Sequence, residues 1–378
     1  MKQGWEIKTI GDVCVSASSN VSQNSLTDNE GDYPIFGASG FIKKVSFYHR
    51  DKPYLSIVKD GSGVGRVTKM DAFTSVIGTL QYILPKENID LDYLNYSLMS
   101  VDFNKYVAGA AIPHIYFKDY KNEPFLWMPL PEQQRIVSIL DEAFAAIAKA
   151  KANAEQNLQN AKELFESYLQ GVFENGNWET KTLKELTTKI GSGATPRGGQ
   201  ESYKSEGISL VRSMNVHDWE FRERNLAFID EKQAKELDGV TLQEEDVLLN
   251  ITGASVTRCC VFPKEYLPAR VNQHVSIIRP KKELLNARFL NLLLTSKPYK
   301  DQLLFTGEQG ATRQAITKAQ IETFRISIPP LKEQQTIVRQ LDALRAETQK
   351  LEAVYHKKLE DLEELKKSVL QKAFNGEL

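Results

Sequence analysis

Two stretches of the chain carry apolar residues at alternating three- and four-residue spacing, with no proline inside them. The first runs Val137, Leu140, Phe144, Ile147, Lys151, Ala154, Leu158, Ala161, Phe165, Tyr168 and Val172. The second runs Ile337, Leu341, Leu344, Thr348, Leu351 and Tyr355, then slips one place to Leu359, Leu362, Leu365 and Val369. This heptad spacing predicts a long helix over 129–176 and another over 330–378, with one stutter in the second. Proline at the start and Glu132 or Glu333 in the first turn suit a helix N-terminus, and Gly176 and Gly376 stand in the usual stop position. Charged flanks on both seams favour a coiled coil over two helices buried all round. Elsewhere the pattern shortens. Tyr54–Val58, Ser75–Ile83, Asp246–Ile251 and Val271–Ile278 read as strands between glycine turns, and Leu91–Met99 and Ala287–Thr295 as helices. The expected fold class is α+β, with two mixed α/β domains (1–128 and 177–329) separated by two long helices. Antiparallel pairing of those helices within the chain is the economical topology, because parallel pairing would stretch the short link Asn175–Asn177 along the rod. Such a coiled coil would be pseudo-twofold.

The chain is also an internal duplication. Pro129-Leu130-Pro131-Glu132-Gln133-Gln134-Arg135-Ile136 recurs as Pro330-Leu331-Lys332-Glu333-Gln334-Gln335-Thr336-Ile337 at an offset of 201, and that offset persists from Gly109/Gly310 to Phe173/Phe374. Gly4-Trp5-Glu6 is answered by Asn177-Trp178-Glu179 at an offset of 173, so the second globular part is longer by 201 − 173 = 28 residues. A shared frame with different filling suits one scaffold that presents two different recognition surfaces.

Bulk properties narrow the function. Apolar residues at 41% and charged residues at 26% suit a globular protein with full cores, and no apolar run approaches the ~20 residues of a membrane span. The N-terminal residues show no secretory segment, and three cysteines, Cys14, Cys259 and Cys260, form neither a disulfide framework nor a metal spacing. A reduced, cytoplasmic protein is expected. The net charge is −1, with 13 Lys/Arg against 14 Asp/Glu over 1–131 and 22 against 19 over 177–331. A nucleic-acid partner would be gripped weakly by this chain alone, since counterion release scales with the phosphates neutralised.

Candidate chemistry lies in the loops. Gly61-Ser62-Gly63-Val64-Gly65-Arg66 lacks the βαβ setting of a dinucleotide loop and reads as a glycine-rich hairpin. Its counterpart is Ile251-Thr252-Gly253-Ala254-Ser255-Val256-Thr257-Arg258. Both follow a strand and end in arginine, which can fork onto guanine or phosphate, so each is either a DNA-facing loop or a plain turn. Arg212-Ser213-Met214-Asn215, Asn272-Gln273-His274 and Arg313-Gln314 collect the planar groups that contact base edges, with capping or internal hydrogen bonding as the alternative. The loop Gly191–Gly199 has no Gly-Lys-Ser/Thr ending and is not a phosphate loop. No nucleophile motif, carboxylate pair, metal spacing or nucleotide fingerprint stands out, which points to binding and assembly.

The paired Pro-Leu-Pro-Glu-Gln-Gln-Arg-Ile and Pro-Pro-Leu-Lys-Glu-Gln-Gln-Thr-Ile segments, each leading a long helix, resemble the specificity subunits of type I restriction–modification systems. Gly4-Trp5-Glu6, Asn250-Ile251-Thr252-Gly253-Ala254-Ser255 and Asn272-Gln273-His274-Val275 are similar to that family too, and the resemblance covers essentially the whole chain. It implies two target recognition domains, each reading one half of a bipartite, asymmetric site in double-stranded DNA. It also implies a helix pair that fixes the gap between half-sites and docks two methyltransferase (modification) subunits, with restriction subunits joining them. S-adenosylmethionine, ATP and Mg would sit on those partners, with no cofactor, metal or catalytic residue on this chain and no membrane. The DNA-binding candidates are Lys59, Ser62 and Arg66 in the first domain. In the second they are Arg212, Asn215, Thr252, Ser255, Arg258, Asn272, Gln273, His274 and Arg313. The first domain departs from the family pattern, with Lys59-Asp60-Gly61-Ser62-Gly63 in place of Asn-Ile-Thr-Gly-Ala. The rival readings are a coiled-coil scaffold with no nucleic-acid role and a DNA methyltransferase with built-in recognition. The latter needs an S-adenosylmethionine loop and an Asn/Asp-Pro-Pro-aromatic motif, and the sequence has neither.

Overall fold

A computed structural model describes residues 4–109, 111–308 and 315–378, the side chains of 306–308 excepted. The candidate Arg313 and its neighbour Gln314 lie outside the described residues. The chain divides into two units, Met1–Gln156 with Tyr355–Leu378, and Asn157–Val354.

In the first unit the strands are β1 (Glu6–Thr9), β2 (Cys14–Ser18), β3 (Tyr33–Gly37), β4 (Gly40–Val45), β5 (Tyr54–Val58), β6 (Val67–Met70), β7 (Ser75–Val76), β8 (Leu80–Pro85) and β9 (Pro124–Trp127). An antiparallel sheet runs β2-β8-β5-β6, a second sheet runs β4-β3-β7 with β3 and β7 parallel, and β1 pairs with β9. The second unit holds β10 (Glu179–Thr182), β11 (Thr187–Ser192), β12 (Ile208–Val211), β13 (Val216–His217), β14 (Glu220–Phe221) and β15 (Ala227–Ile229). It continues with β16 (Val247–Asn250), β17 (Cys259–Val261), β18 (Ala269–Val271), β19 (Val275–Pro280) and β20 (Arg325–Ile328). Its sheets run β11-β19-β16-β17 and β15-β12-β18, with β12 and β18 parallel, and β10 pairs with β20. The two topologies match strand for strand. The hairpin β13-β14 and a short helix, Glu231–Glu236, supply part of the extra length of the second copy.

Each central strand is covered on both faces. In β5, Leu55 and Ile57 enter one core with Ile83, Tyr93 and Leu140, while Tyr54 and Val58 enter another with Ile35, Val76 and Tyr82. In β16, Val247 and Leu249 face one core and Leu248 the other. This is the period-2 alternation of a strand between two layers.

The helices that frame the two domains are α1 (Leu91–Met99), α2 (Leu130–Glu174, 45 residues), α3 (Ala287–Thr295) and α4 (Leu331–Phe374, 44 residues). In each unit, part of α2 packs against part of α4. In the first, Ile136 and Leu140 share a core with Ala373, Lys366 lies over the Phe144 ring, and Lys151 pairs with Glu363 at 2.6 Å. Rising numbers on α2 meet falling numbers on α4, so the pairing is antiparallel. In the second unit, Phe165, Leu169 and Phe173 share a core with Ile337 and Leu341. Leu140, Ile147, Ala154 and Ala161 are buried at strict seven-residue intervals, as a heptad seam requires. The expected seam is not followed throughout. Tyr168, Leu351 and Leu365 are exposed, and Leu169 is buried in place of Tyr168, because the stripe there turns onto the second domain's core.

The repeated Glu-Gln-Gln has a structural cause. Gln133 is fully buried and donates to the carbonyls of Asn88 (3.0 Å) and Met128 (2.8 Å), while its Oε1 accepts from Asp90 N–H (2.8 Å). Gln334, also fully buried, repeats this with Leu284 O, Pro329 O and Asn286 N–H, each at 2.9 Å. One side chain thus ties the start of each long helix to the loop before α1 or α3. The helix ends differ from expectation in one respect. Gly376 takes the left-handed φ of +80° that a stop glycine supplies, but Gly176 has no positive φ. It instead leaves room for the Trp178 ring, which a Cβ would meet at 2.5 Å.

Candidate nucleic-acid interface

The two loops paired by sequence have one backbone. In the first domain Val58 N–H donates to Arg66 O (3.0 Å), Gly65 N–H to Val58 O (2.9 Å), Val64 N–H to Gly61 O (3.3 Å) and Arg66 N–H to Gly63 O (3.0 Å). In the second, Asn250 N–H donates to Arg258 O (2.8 Å), Thr257 N–H to Asn250 O (2.8 Å), Val256 N–H to Gly253 O (3.0 Å) and Arg258 N–H to Ser255 O (3.2 Å). Every donor and acceptor corresponds at an offset of 192 (258 − 66). Gly63 at +87° is answered by Ser255 outside the left-handed region, but two left-handed positions correspond, Gly61 with Gly253 and Gly65 with Thr257, whose φ is +72°. A buried β-branched residue there is strained backbone, held by the ring of hydrogen bonds around it. Beside each loop lies an equivalent turn. Asn272 N–H donates to Val211 O (3.0 Å) and Ile251 N–H to His274 O (3.0 Å), as Ile77 N–H does to Phe36 O (2.9 Å) and Lys59 N–H to Thr79 O (3.0 Å). A third strand of chain closes each site, Ile316 N–H on Ile251 O (2.8 Å) and Ile115 N–H on Lys59 O (2.9 Å).

On this common frame the side chains differ. In the second domain Thr252, Ser255, Arg258 and His274 line one open concavity of about 430 Å³ with Ser213 and Met214. Thr252 Oγ1 and His274 Nδ1 are 2.6 Å apart, and Gln273 Nε2 lies 3.1 Å from His274 Nε2. Gln273 is exposed, and its Oε1 accepts from Thr195. Among the described residues Arg258 has no ion pair, so its charge is available to a ligand. Arg212, half-buried and next to Ser213 in the chain, donates to Asn225 O and lies over the Tyr203 ring at 5.4 Å. Two candidates are inside. Asn215 is fully buried, donating to Arg222 O (2.8 Å) and Arg224 O (3.3 Å) and accepting from Arg212 N–H (3.1 Å). Asn272 is buried and accepts from His274 N–H at 3.0 Å. Both hold turns that carry other candidates; the Asn215 amide is spent inside, whereas Asn272 acts through Oδ1 and its Nδ2 donates to no acceptor among the described residues. A packed interior is where the alternative reading, internal hydrogen bonding, prevails.

In the first domain Ser62 and Arg66 are exposed on the loop, and Arg66 donates to Ala38 O at the tip of the β3-β4 hairpin. Lys59 is paired with Asp60 at 3.3 Å, which partly spends its charge. Where the second domain has Asn272-Gln273-His274, this one has Ile77-Gly78-Thr79.

Several residues here are not among the candidates named from sequence. Asn250, fully buried at the end of β16, donates to Ser213 O (2.8 Å) and Ser255 Oγ (3.1 Å). Thr195 and exposed Arg197 sit on the Gly191–Gly199 loop that reaches Gln273. Trp219, at φ +68°, packs edge-on against Phe165 of α2 at 5.4 Å, with Arg345 of α4 over its ring at 4.5 Å, anchoring β13-β14 to the helices of its unit. Only a Trp following His-Asp at a turn hinted at that role. Among the described residues no cluster of His, Cys, Asp and Glu stands together as for a metal, and no helix is long and apolar enough to cross a membrane.

Comparison with known proteins adds to this geometry. A family model described as type I restriction modification DNA specificity domain matches residues 2–157 and 175–361. The chain is 22% identical over 302 residues to the type I restriction enzyme EcoBI specificity subunit of Escherichia coli, covering 73% of this chain but 62% of that one. It is 23% identical to the MjaVIII specificity subunit of Methanocaldococcus jannaschii, covering 100% of this chain and 93% of that one. Among solved structures, the HsdS subunit from Thermoanaerobacter tengcongensis shares the fold at a TM-score of 0.62, with 17% identity and coverage of 100% and 98%. A chain from a study of assembly and conformational transition of the type I R-M system matches at 0.73, again with 17% identity, covering 100% and 99%.

Proposed function

We propose that this chain, which belongs to the family of type I restriction–modification DNA specificity subunits, reads a bipartite, asymmetric DNA site for enzymes carried on other chains. Each domain reads one half-site with its Gly61–Arg66 or Gly253–Arg258 loop and the adjoining turn. The observation that carries this is one hydrogen-bonded loop frame, built twice and filled with different side chains. Identical fillings would read a symmetric site, whereas two fillings read two sequences. Base edges are reached through Ser62 and Arg66 in one domain, and through Thr252, Ser255, Arg258 and Gln273 in the other, with His274 behind them and Arg212 next to Ser213 in the chain. Lys59 contributes at most through a charge shared with Asp60.

The paired helices act as the spacer, because two readers must meet compatible faces of a duplex and a rigid element sets that distance. They also offer the surface on which two methyltransferase subunits dock, with restriction subunits beyond them. Methyl transfer and DNA cleavage, with S-adenosylmethionine, ATP and Mg, belong to those partners, and this chain contributes no catalytic group. Near-zero net charge supports such a division of labour, since partner surfaces must supply much of the phosphate grip.

The test is DNA binding by the chain with and without its methyltransferase subunits across a salt series. The expected outcome is weak, salt-sensitive binding alone and tight binding to one bipartite sequence in the complex. Equal binding to all sequences by the complex would refute the reading.

A further inference from the structure

Resting on that reading, we infer that the second domain's loop is a donor-biased edge, with Asn250 and His274 acting behind it as positioning residues. Asn250 is fully buried and its Nδ2 donates to Ser255 Oγ at 3.1 Å. A hydroxyl that accepts on its inner side has its own hydrogen left to give, and Ser255 Oγ donates to no acceptor among the described residues. The same logic runs through His274. The Gln273 amide nitrogen can only donate, so His274 Nε2, at 3.1 Å, accepts. Nδ1 then carries the proton and gives it to Thr252 Oγ1 at 2.6 Å. Thr252, like Ser255, is left with a free O–H. Arg258 lines the same concavity and is a donor by chemistry alone.

Three donors on one loop, two of them hydroxyls with a lone pair already engaged from behind, favour acceptor atoms on the ligand. On a duplex these are guanine O6 and N7, adenine N7, thymine O4 and phosphate oxygens, whereas the cytosine and adenine amino groups are matched less well. Asn250 also donates to Ser213 O at 2.8 Å, so a single buried amide fixes both the loop and the Ser213–Met214 turn across the concavity.

The duplication provides its own control for the test. Val58 occupies the position of Asn250 in the first domain, buried, with the same backbone bonds around it. Asn250→Val therefore keeps the frame and deletes only the tether. The full chain and its variants are co-produced with the cognate methyltransferase subunits in a host lacking other adenine methylation, and N6-methyladenine is mapped across that chromosome. In parallel, binding of the purified complexes to a duplex with the wild-type motif is followed against salt. Asn250→Val and Ser255→Ala are each expected to relax the same position in one half-motif by about tenfold, with the other half unchanged and, for Ser255→Ala, the melting temperature kept. The double variant should be no worse than the poorer single one. If Ser255 donates to a phosphate, the pair will instead weaken binding equally on all sequences without relaxing the motif, which still supports donor polarity. Unchanged motif and affinity in Asn250→Val, or additive effects in the double variant, would overturn the inference. A wild-type complex with no bipartite motif would overturn the proposed function itself.

Discussion

Replacing Gln334 by leucine removes one side chain and strands three backbone groups. Leucine fills much of the volume, but Asn286 N–H, Leu284 O and Pro329 O, each now bonded at 2.9 Å, lose their partner, Pro329 O in the core and the other two partly buried at its margin. A buried polar group left unsatisfied costs about 1–3 kcal/mol. Allowing for partial relaxation, the three together should destabilise the second unit by about 3–5 kcal/mol. For a unit of this size a kilocalorie corresponds to about 2–4 °C, so its transition should fall by about 10 °C. The neighbouring Gln335 is exposed, and Gln335→Leu should stay within about 0.5 kcal/mol of the parent. The assay is differential scanning calorimetry of the full chain, comparing transition temperatures because a two-unit protein need not unfold in one step. Gln133→Leu should act likewise on the first unit, where Asp90 N–H, Asn88 O and Met128 O are stranded. Equal shifts for Gln334→Leu and Gln335→Leu, or none for either, would refute the argument that the second position of Glu-Gln-Gln is a clamp.

Other expectations follow from the same geometry. Gly65→Ala should cost at least about 2 kcal/mol by thermal denaturation, since its Cβ would lie 2.6 Å from Phe103 Cβ at a left-handed φ. Gly61→Ala, with nothing within 4 Å, should cost only the conformational penalty of about 1–2 kcal/mol. Burial pushes the thiols of Cys14 and Cys259 up to about 12 and that of Cys260 well above its ordinary value. A raised value keeps the proton on, so at pH 8 the thiolate is scarce, about one part in ten thousand. A disulfide reagent should therefore titrate no thiol in the native chain and three after denaturation. Reaction of any native thiol within minutes would contradict the burial.

Much of this architecture can be read from the chain, because duplication writes it twice. Two echoes at different offsets locate both globular parts and both helices, and the Gly61–Arg66 and Ile251–Arg258 pairing holds down to single hydrogen bonds. What the pattern does not disclose is which polar side chains end inside. Asn215 and Asn272 have the composition of base readers, yet their partners lie in the core or on the next turn. Asn250 heads a family-like run and Trp219 looks ordinary in sequence, but both acquire their roles from Ser213 and Ser255, or from Phe165 and Arg345, brought in by the fold. A heptad rule likewise foresees Leu140 and Ile147 but not the exposure of Tyr168, because the helix there answers to a domain core as well as to its partner helix.

The spacer claim has a direct measurement. Four residues inserted in each of α2 and α4 add about 6 Å of helix, close to two base pairs of duplex. Mapping of methylated adenines should then show both half-sites unchanged and the gap between them longer by about two positions. An unaltered gap, or altered half-sites, would contradict the account.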